Sequence, residues 1–227
     1  MRAHTTRPPR PAPRPREATA RRRLLDAARE VFAEKGFAGA TGKEICERAG
    51  TNTAAVNYYF GGIEELYVAA VLDAHSRLLT SDRLAAAVAG RSNPQAKLAA
   101  VIETVVHALT SASASAAVLQ LIGREVVAPS PRLRALREKE IPARAAILKG
   151  IVSELMNLPA DHPAVARACL SVVGPFFMLM VADRRTIKRA FRALGLETAD
   201  ADVLIRHMLR FSLAGLSAVA NELRKES

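Results

Sequence analysis

Arg2, Arg7, Arg10, Arg14, Arg16, Arg21, Arg22 and Arg23 all fall within the first 23 residues, against one carboxylate, Glu17. Eight charges against one leaves +7 in this stretch, out of a formal +11 for the chain. Guanidinium groups at this density neutralise polyanions, and each phosphate they cover steepens the salt dependence of binding. Five prolines, Pro8, Pro9, Pro11, Pro13 and Pro15, interrupt the same run. They disfavour helix until about Thr19, so residues 1–18 are expected to form a basic, disordered arm. Composition alone fits an arm that tracks phosphates or enters a minor groove, and fits a solubilising leader equally well. Residues 24–60 differ sharply, with Arg29, Lys35, Lys43 and Arg48 against Asp26, Glu30, Glu34, Glu44 and Glu47, four against five, or −1. A polyanion bound there would need the arm.

Catalytic chemistry has no comparable foothold. The five histidines are scattered, and Cys46 and Cys169 lie far from any Cys or His at metal-ligand spacing. Ser111, Ser113 and Ser115 read as helix-boundary residues, and no glycine-rich phosphate loop occurs. No enzyme, cofactor or metal is expected.

The elements that would position a binding site are helical. With 227 residues, 50% hydrophobic and 24% charged, the chain is long enough for a real core and reads as globular. Thr104–Gly123 and Ala168–Ala182 lack formal charge, but polar residues or Gly174-Pro175 interrupt them, and both are expected as buried helices rather than membrane spans. No apolar stretch follows the N-terminal arginines as in a secretory signal, so a cytoplasmic location without membrane attachment is expected.

Apolar spacing predicts a first helix over 19–35 stopped by Gly36, and a second over 41–49 with Thr41 and Glu44 at capping-box spacing and Gly50 as its stop. A short third helix follows through Tyr59, capped by Asn52 or Thr53. The three or four residues between the second and third give helix-turn-helix spacing, with Ile45, Ala49 and Val56 facing the first helix. A long fourth helix over 63–88 is expected next, then helices over about 94–111, 115–127, 131–155 with a kink near Pro142, 163–181 and 200–225. The fold class is therefore all-α, an N-terminal three-helix unit joined to a larger bundle.

The run from Ala33 to Thr41, followed by Ile45, Ala49-Gly50, Val56, Tyr58-Tyr59-Phe60 and Glu64-Glu65-Leu66, resembles the TetR family of transcriptional regulators. More weakly, Arg124-Glu125, Pro129-Ser130-Pro131, Ile141-Pro142-Ala143-Arg144, Leu158-Pro159 and Pro163-Ala164-Val165 resemble the ligand-binding domain of its CecR-like subgroup. The resemblance implies a DNA-binding domain over 19–66 and a ligand-binding and dimerisation domain over 67–227. It also implies a homodimer that binds double-stranded operator DNA, most simply as a repressor, and is released by an apolar or amphipathic small molecule. Ile63 stands where the family usually has a lysine that touches the DNA backbone, and the arm would have to compensate. Cys46 and Thr51-Asn52 are sterically mild departures.

On that reading Thr53, Ala54, Ala55 and Asn57 are the base-reading candidates, Asn57 pairing with an adenine edge in the major groove. Thr41, Lys43, Tyr58 and Tyr59 match family positions that touch phosphate or sugar, whereas Phe60 is expected in the core. Polar residues among apolar ones, His107, Gln120, Arg124 and Glu125, are candidates for effector contact, with His75, Phe177 and Met178 as lining; ion pairs and core hydrogen bonds are the competing explanation for each. Small residues beside large ones in the last two long helices (Ala166, Ser171, Gly174; Ala214, Gly215, Ser217, Ala218 beside Leu204, Phe211, Leu216) allow close packing across a two-fold axis. The alternative function is a helical carrier or adaptor that binds no specific DNA.

Overall fold

The computed structural model describes residues 15–111, 115–182, 184–194 and 198–226, and no strand occurs among them. Eleven helices follow one another: α1 (Pro15–Gly39), α2 (Gly42–Ala49), α3 (Ala55–Phe60), α4 (Ile63–Leu78), α5 (Ser81–Val88), α6 (Pro94–Thr110), α7 (Ala116–Val127), α8 (Arg134–Met156), α9 (Pro163–Val181), α10 (Arg184–Ala190) and α11 (Ala201–Glu226). The expected all-α class is the one observed. α1 packs against α2 and α4, and α3 against α4, forming the N-terminal unit. α7 packs on both α1 and α4, while α5, α6, α8, α9 and α11 build the bundle around Leu98, Ile102, Val106 and Val152, all fully buried.

Several boundaries differ from those read in the sequence. α1 begins at Pro15 rather than near Thr19, because a proline at the first helical position lacks only an amide that would be unpaired anyway. The arm expected over 1–18 thus contributes its last residues to α1, and 1–14 lie outside the described residues. α10 was not foreseen. α9 is not the buried helix expected: Val165, Val172 and Phe176 face inward, while Leu170 and Phe177 are 69% and 46% exposed. Gly36 ends the regular part of α1 at φ 71°, ψ 178°, a region open essentially to glycine alone.

The long helix expected over 63–88 is two helices. Leu79 turns extended, and the Thr80 hydroxyl accepts the Arg83 N–H at 3.2 Å, starting α5 as a new N-cap. The break is fastened to α8 by a buried carboxylate: Glu140 accepts the Ser81 N–H at 2.8 Å and the Ser81 hydroxyl at 3.2 Å. Arg144 donates to the Leu79 carbonyl from the same helix at 3.5 Å. Burial works to raise the Glu140 carboxyl, but the two bonds from Ser81, with His75 and Arg144 nearby, outweigh it and hold the group below its usual range.

His75 sits over this carboxylate, its Nε2 3.7 Å from Glu140 and buried without a hydrogen-bond partner. Burial first, then Arg144, push its imidazole below the ordinary value against the opposing pull of Glu140.

Two predictions follow from this architecture. Gly36→Ala should lower unfolding stability by about 1–3 kcal/mol in urea titrations, the cost of holding a Cβ in that backbone region; an unchanged midpoint would contradict the strain. Because the unfolded chain takes up a proton near pH ~6.5 that the folded His75 site refuses, stability should decline as pH falls below that range. His75→Gln should flatten the decline between about pH 7.5 and 5.5, and an equally steep decline in the variant would rule out His75 as its source.

Candidate nucleic-acid interface

α2 begins where the Thr41 hydroxyl accepts the Glu44 N–H at 3.2 Å, the spacing read from the sequence. It ends at Gly50, whose left-handed backbone (φ 62°, ψ 42°) lets the Thr51 N–H return to the Cys46 carbonyl at 2.9 Å. Ile45, Cys46, Ala49 and Val56 are all buried beneath the turn, so the shared apolar face fixes how α2 and α3 cross.

Neither Asn52 nor Thr53 caps α3 with its side chain. Instead the Asn52 carbonyl accepts the Ala55 N–H at 3.1 Å, and the helix grows out of that turn. Gly61, at φ 93°, closes the other end by donating to Asn57 O at 3.0 Å.

What this leaves outward is compact. Thr53, Ala54 and Asn57 are exposed on and before α3, Tyr58 is 66% exposed, and Thr41 and Lys43 are exposed at the start of α2. Ala55, a base-reading candidate from the sequence, is instead buried at 6% exposure and packs inward. A residue at that position of a six-residue helix must serve the core face if Val56 is to reach it. Tyr59 is half-buried against the core with its ring edge-on to Tyr58, 4.8 Å between centroids, while Phe60 packs on the core as expected. Ile63 is also half-buried there, an apolar side chain where a cation would face solvent. The outward face carries hydroxyls, one carboxamide and one ammonium, donors and acceptors that suit base edges and phosphate oxygens.

This unit is gripped from behind by α7. Arg124 donates from Nε to the Ala33 carbonyl at 3.0 Å and from Nη2 to the Glu34 carbonyl at 3.1 Å. These carbonyls lie in the last turn of α1, where intrahelical partners run out and the helix dipole favours a cation. Next to it Glu125, buried, accepts the Tyr67 hydroxyl of α4 and the Ser130 N–H at 3.0 Å, with Arg137 3.6 Å away. Burial first, then the bond to Glu125, push the Tyr67 phenol far above its usual range, so it remains the donor. Arg132 completes the seam, stacking over Phe37 at 4.3 Å and reaching Glu64 at 2.6 Å. Phe32, Phe37 and Tyr67 meet edge-on or stacked beneath it.

The effector candidates read from sequence therefore divide. Arg124 is engaged with backbone carbonyls rather than an ion pair, Glu125 with Tyr67, Ser130 and Arg137, and His75 sits at the α4–α5 junction. His107 and Gln120 are exposed on the surfaces of α6 and α7, and Phe177 and Met178 (54% exposed) stand on the outer face of α9, so these four line no interior space in the single chain. A helical face drawn from spacing alone could not show which side a neighbouring helix would cover. An open depression of about 480 Å³ lies elsewhere, along α11, lined by Val203, Arg206, His207, Arg210 and Phe211. Among the described residues no cluster of His, Cys, Asp or Glu has the composition of a metal site. Sequence reasoning also missed Arg21, whose guanidinium lies 4.7 Å over the Phe60 ring at the end of α3; nothing in the local pattern pairs residues so far apart.

Comparison with known proteins agrees with this arrangement. Residues 24–70 match the family described as bacterial regulatory proteins, tetR family, and residues 94–216 match the C-terminal domain of the HTH-type transcriptional dual regulator CecR. The CecR protein of Shigella flexneri is 48% identical over 50 residues, 22% of either chain. The HTH-type transcriptional regulator BetI of Rhizobium meliloti (strain 1021) is 31% identical over 86 residues, 38% of this chain and 41% of that one. The aligned parts thus cover less than half the length of either relative. Among solved structures, a tetR-family regulatory protein from Rhodococcus RHA1 superposes with a TM-score of 0.64 at 19% identity, covering 86% of this chain and 95% of that one. The regulator FadR from Bacillus subtilis, in complex with stearoyl-CoA, does so with a TM-score of 0.57 at 18% identity, covering 83% and 97%. The N-terminal helix-turn-helix unit and the larger C-terminal match together place the chain: it belongs to the TetR family of bacterial regulatory proteins, with a C-terminal half of the CecR type.

Proposed function

We propose that the protein is a ligand-responsive, DNA-binding transcriptional regulator, a homodimer that acts as a repressor and leaves its operator when a small apolar or amphipathic molecule binds the bundle. The observation that carries this reading is the division of α3: Ala55 and Val56 anchor it while Asn57 and Tyr58 project outward beside Thr53 and Ala54. A helix serving only a carrier's core would have no reason to offer a carboxamide and a tyrosine from a face this small. Family membership supports the DNA partner, and the acyl-CoA bound by a neighbour of the same fold supports an amphipathic effector. An operator-binding protein of this kind works in the bacterial cytoplasm.

The exposed faces of α9 and α11 support the dimer. Ala166, Ser171 and Gly174 on α9, and Ala214, Gly215, Ser217 and Ala218 on α11, are exposed beside Leu170 and Phe211, which are 69% and 72% exposed. Small residues between large ones let a second copy approach closely. Both helices have the length and apolarity to cross a membrane. The exposed face of α11, however, also carries Arg206 and Arg210, each costing about 2.5–3.5 kcal/mol at a bilayer centre. A symmetric protein partner leaves those charges at a wet rim.

Two measurements test the reading. Gel shifts with DNA from upstream of the protein's own gene should give a specific complex weakened by Asn57→Ala by about 1–3 kcal/mol per half-site, roughly 5-fold to 150-fold; no specific complex with the parent chain would favour the carrier or adaptor alternative. Leu170→Glu with Phe211→Glu should convert a dimeric mass in solution to that of one chain and weaken operator binding, whereas a parent chain already monomeric at working concentration would overturn the dimer.

A further inference from the structure

Arg21 and Arg23, in the first turns of α1, are exposed, and no carboxylate among the described residues pairs with either, whereas Arg22 between them is tied to Asp26 at 3.2 Å. Most other cations of the helix-turn-helix unit hold the fold together. Arg29 is buried between Asp26 and Asp73, Lys35 holds Glu44 at 2.8 Å and Arg48 holds Glu34 at 2.7 Å. Lys43 is looser, 3.9 Å from Glu47 and largely exposed. Duplex DNA carries a negative charge about every 1.7 Å along its axis, and releasing its counterions takes cations that are free to meet phosphate. Arg21 and Arg23 are such cations.

Both lie against the recognition element. The Arg21 guanidinium sits 4.7 Å over the Phe60 ring at the end of α3. A Cβ on Gly50, in the turn that leads to α3, would stand 3.9 Å from Arg23 Nη1. Side chains two positions apart on a helix diverge by about 200°, so α1 sends one guanidinium toward each end of the stretch that carries the outward Asn57 and Tyr58. A helix in the major groove, about 12 Å wide, has a phosphate strand along either side. Cations beside its ends are placed for phosphate rather than for base edges. Phe60 adds direction, because its ring covers one face of the planar guanidinium and leaves the N–H fork free at the rim to meet two oxygens of one phosphate. Phe60 itself packs on the core, so this platform exists before DNA arrives and lowers the cost of ordering the side chain.

We infer that Arg21 and Arg23 each hold a backbone phosphate of the operator beside the groove read by α3, Arg21 from its platform on Phe60, and supply backbone anchorage where Ile63 offers none. This rests on the operator-binding reading above.

The test uses the full chain and the upstream duplex, with binding measured across a salt series. Arg21→Gln and Arg23→Gln should each leave thermal unfolding unchanged, make the slope of log affinity against log salt shallower by about 1 per chain, and weaken the operator and a base-substituted operator by the same factor. Arg22→Gln, which removes the same charge from between them, should change the slope by less than about half as much. Ethylation of single phosphates should reveal one position where modification weakens the parent chain but not the Arg21→Gln variant, and another that does so for Arg23→Gln. Arg21→Lys should keep the slope of the parent without its full affinity. With the specific complex intact, a slope in Arg21→Gln and Arg23→Gln equal to that in Arg22→Gln would overturn the inference and leave the operator reading standing. Full affinity in Arg21→Lys would overturn the role of the Phe60 platform. No specific complex with the parent chain would remove the operator reading itself.

Discussion

Two adjacent side chains on α7 hold the helix-turn-helix unit to the bundle, and its orientation depends on them. Arg124 takes up the last carbonyls of α1, and Glu125 takes up the Tyr67 hydroxyl of α4. α1 and α4 are also the two helices on which α2 and α3 rest. A shift or rotation of α7 therefore cannot be absorbed locally, because one face of it would unmake a helix cap and the other would leave a buried carboxylate unpaired. Arg132, stacked on Phe37 and paired to Glu64, continues the seam into the turn that leads to α8. An effector that moved α7 or the start of α8 would thereby move the outward face of α3.

The seam was only partly legible in the sequence. Arg124 and Glu125 stood out as polar residues in an apolar stretch, but spacing gives no information about which distant backbone a guanidinium will reach, and Ala33 lies ninety-one positions away. Local features fared better because their causes are local. The Thr41 cap, the Gly50 turn and the burial of Ile45, Ala49 and Val56 follow from residues within a few positions of one another. The failures have the converse explanation. The break between α4 and α5 depends on Ser81 meeting Glu140 of α8, and Ala55 is inward because α3 is too short to spare it. Phe177 and Met178 lie outside because the bundle covers only one side of α9.

Charge is distributed by the same logic. Within residues 24–60 carboxylates pair with the cations and brace α1 against α2, as Arg29–Asp73 braces α1 against α4, which suits a rigid reading head. The positive charge of the sequence is instead concentrated in its first 23 residues, which hold +7 of the formal +11.

Amide hydrogen exchange on the full chain tests the seam most directly. If Arg124 and Glu125 hold the unit in place, the double variant Arg124→Ala, Glu125→Gln should exchange faster in the last turn of α1, in the first turns of α4 and through α2 and α3, while α6 and α9 keep their protection. Protection in α1 to α4 equal to that of the parent chain would contradict the account.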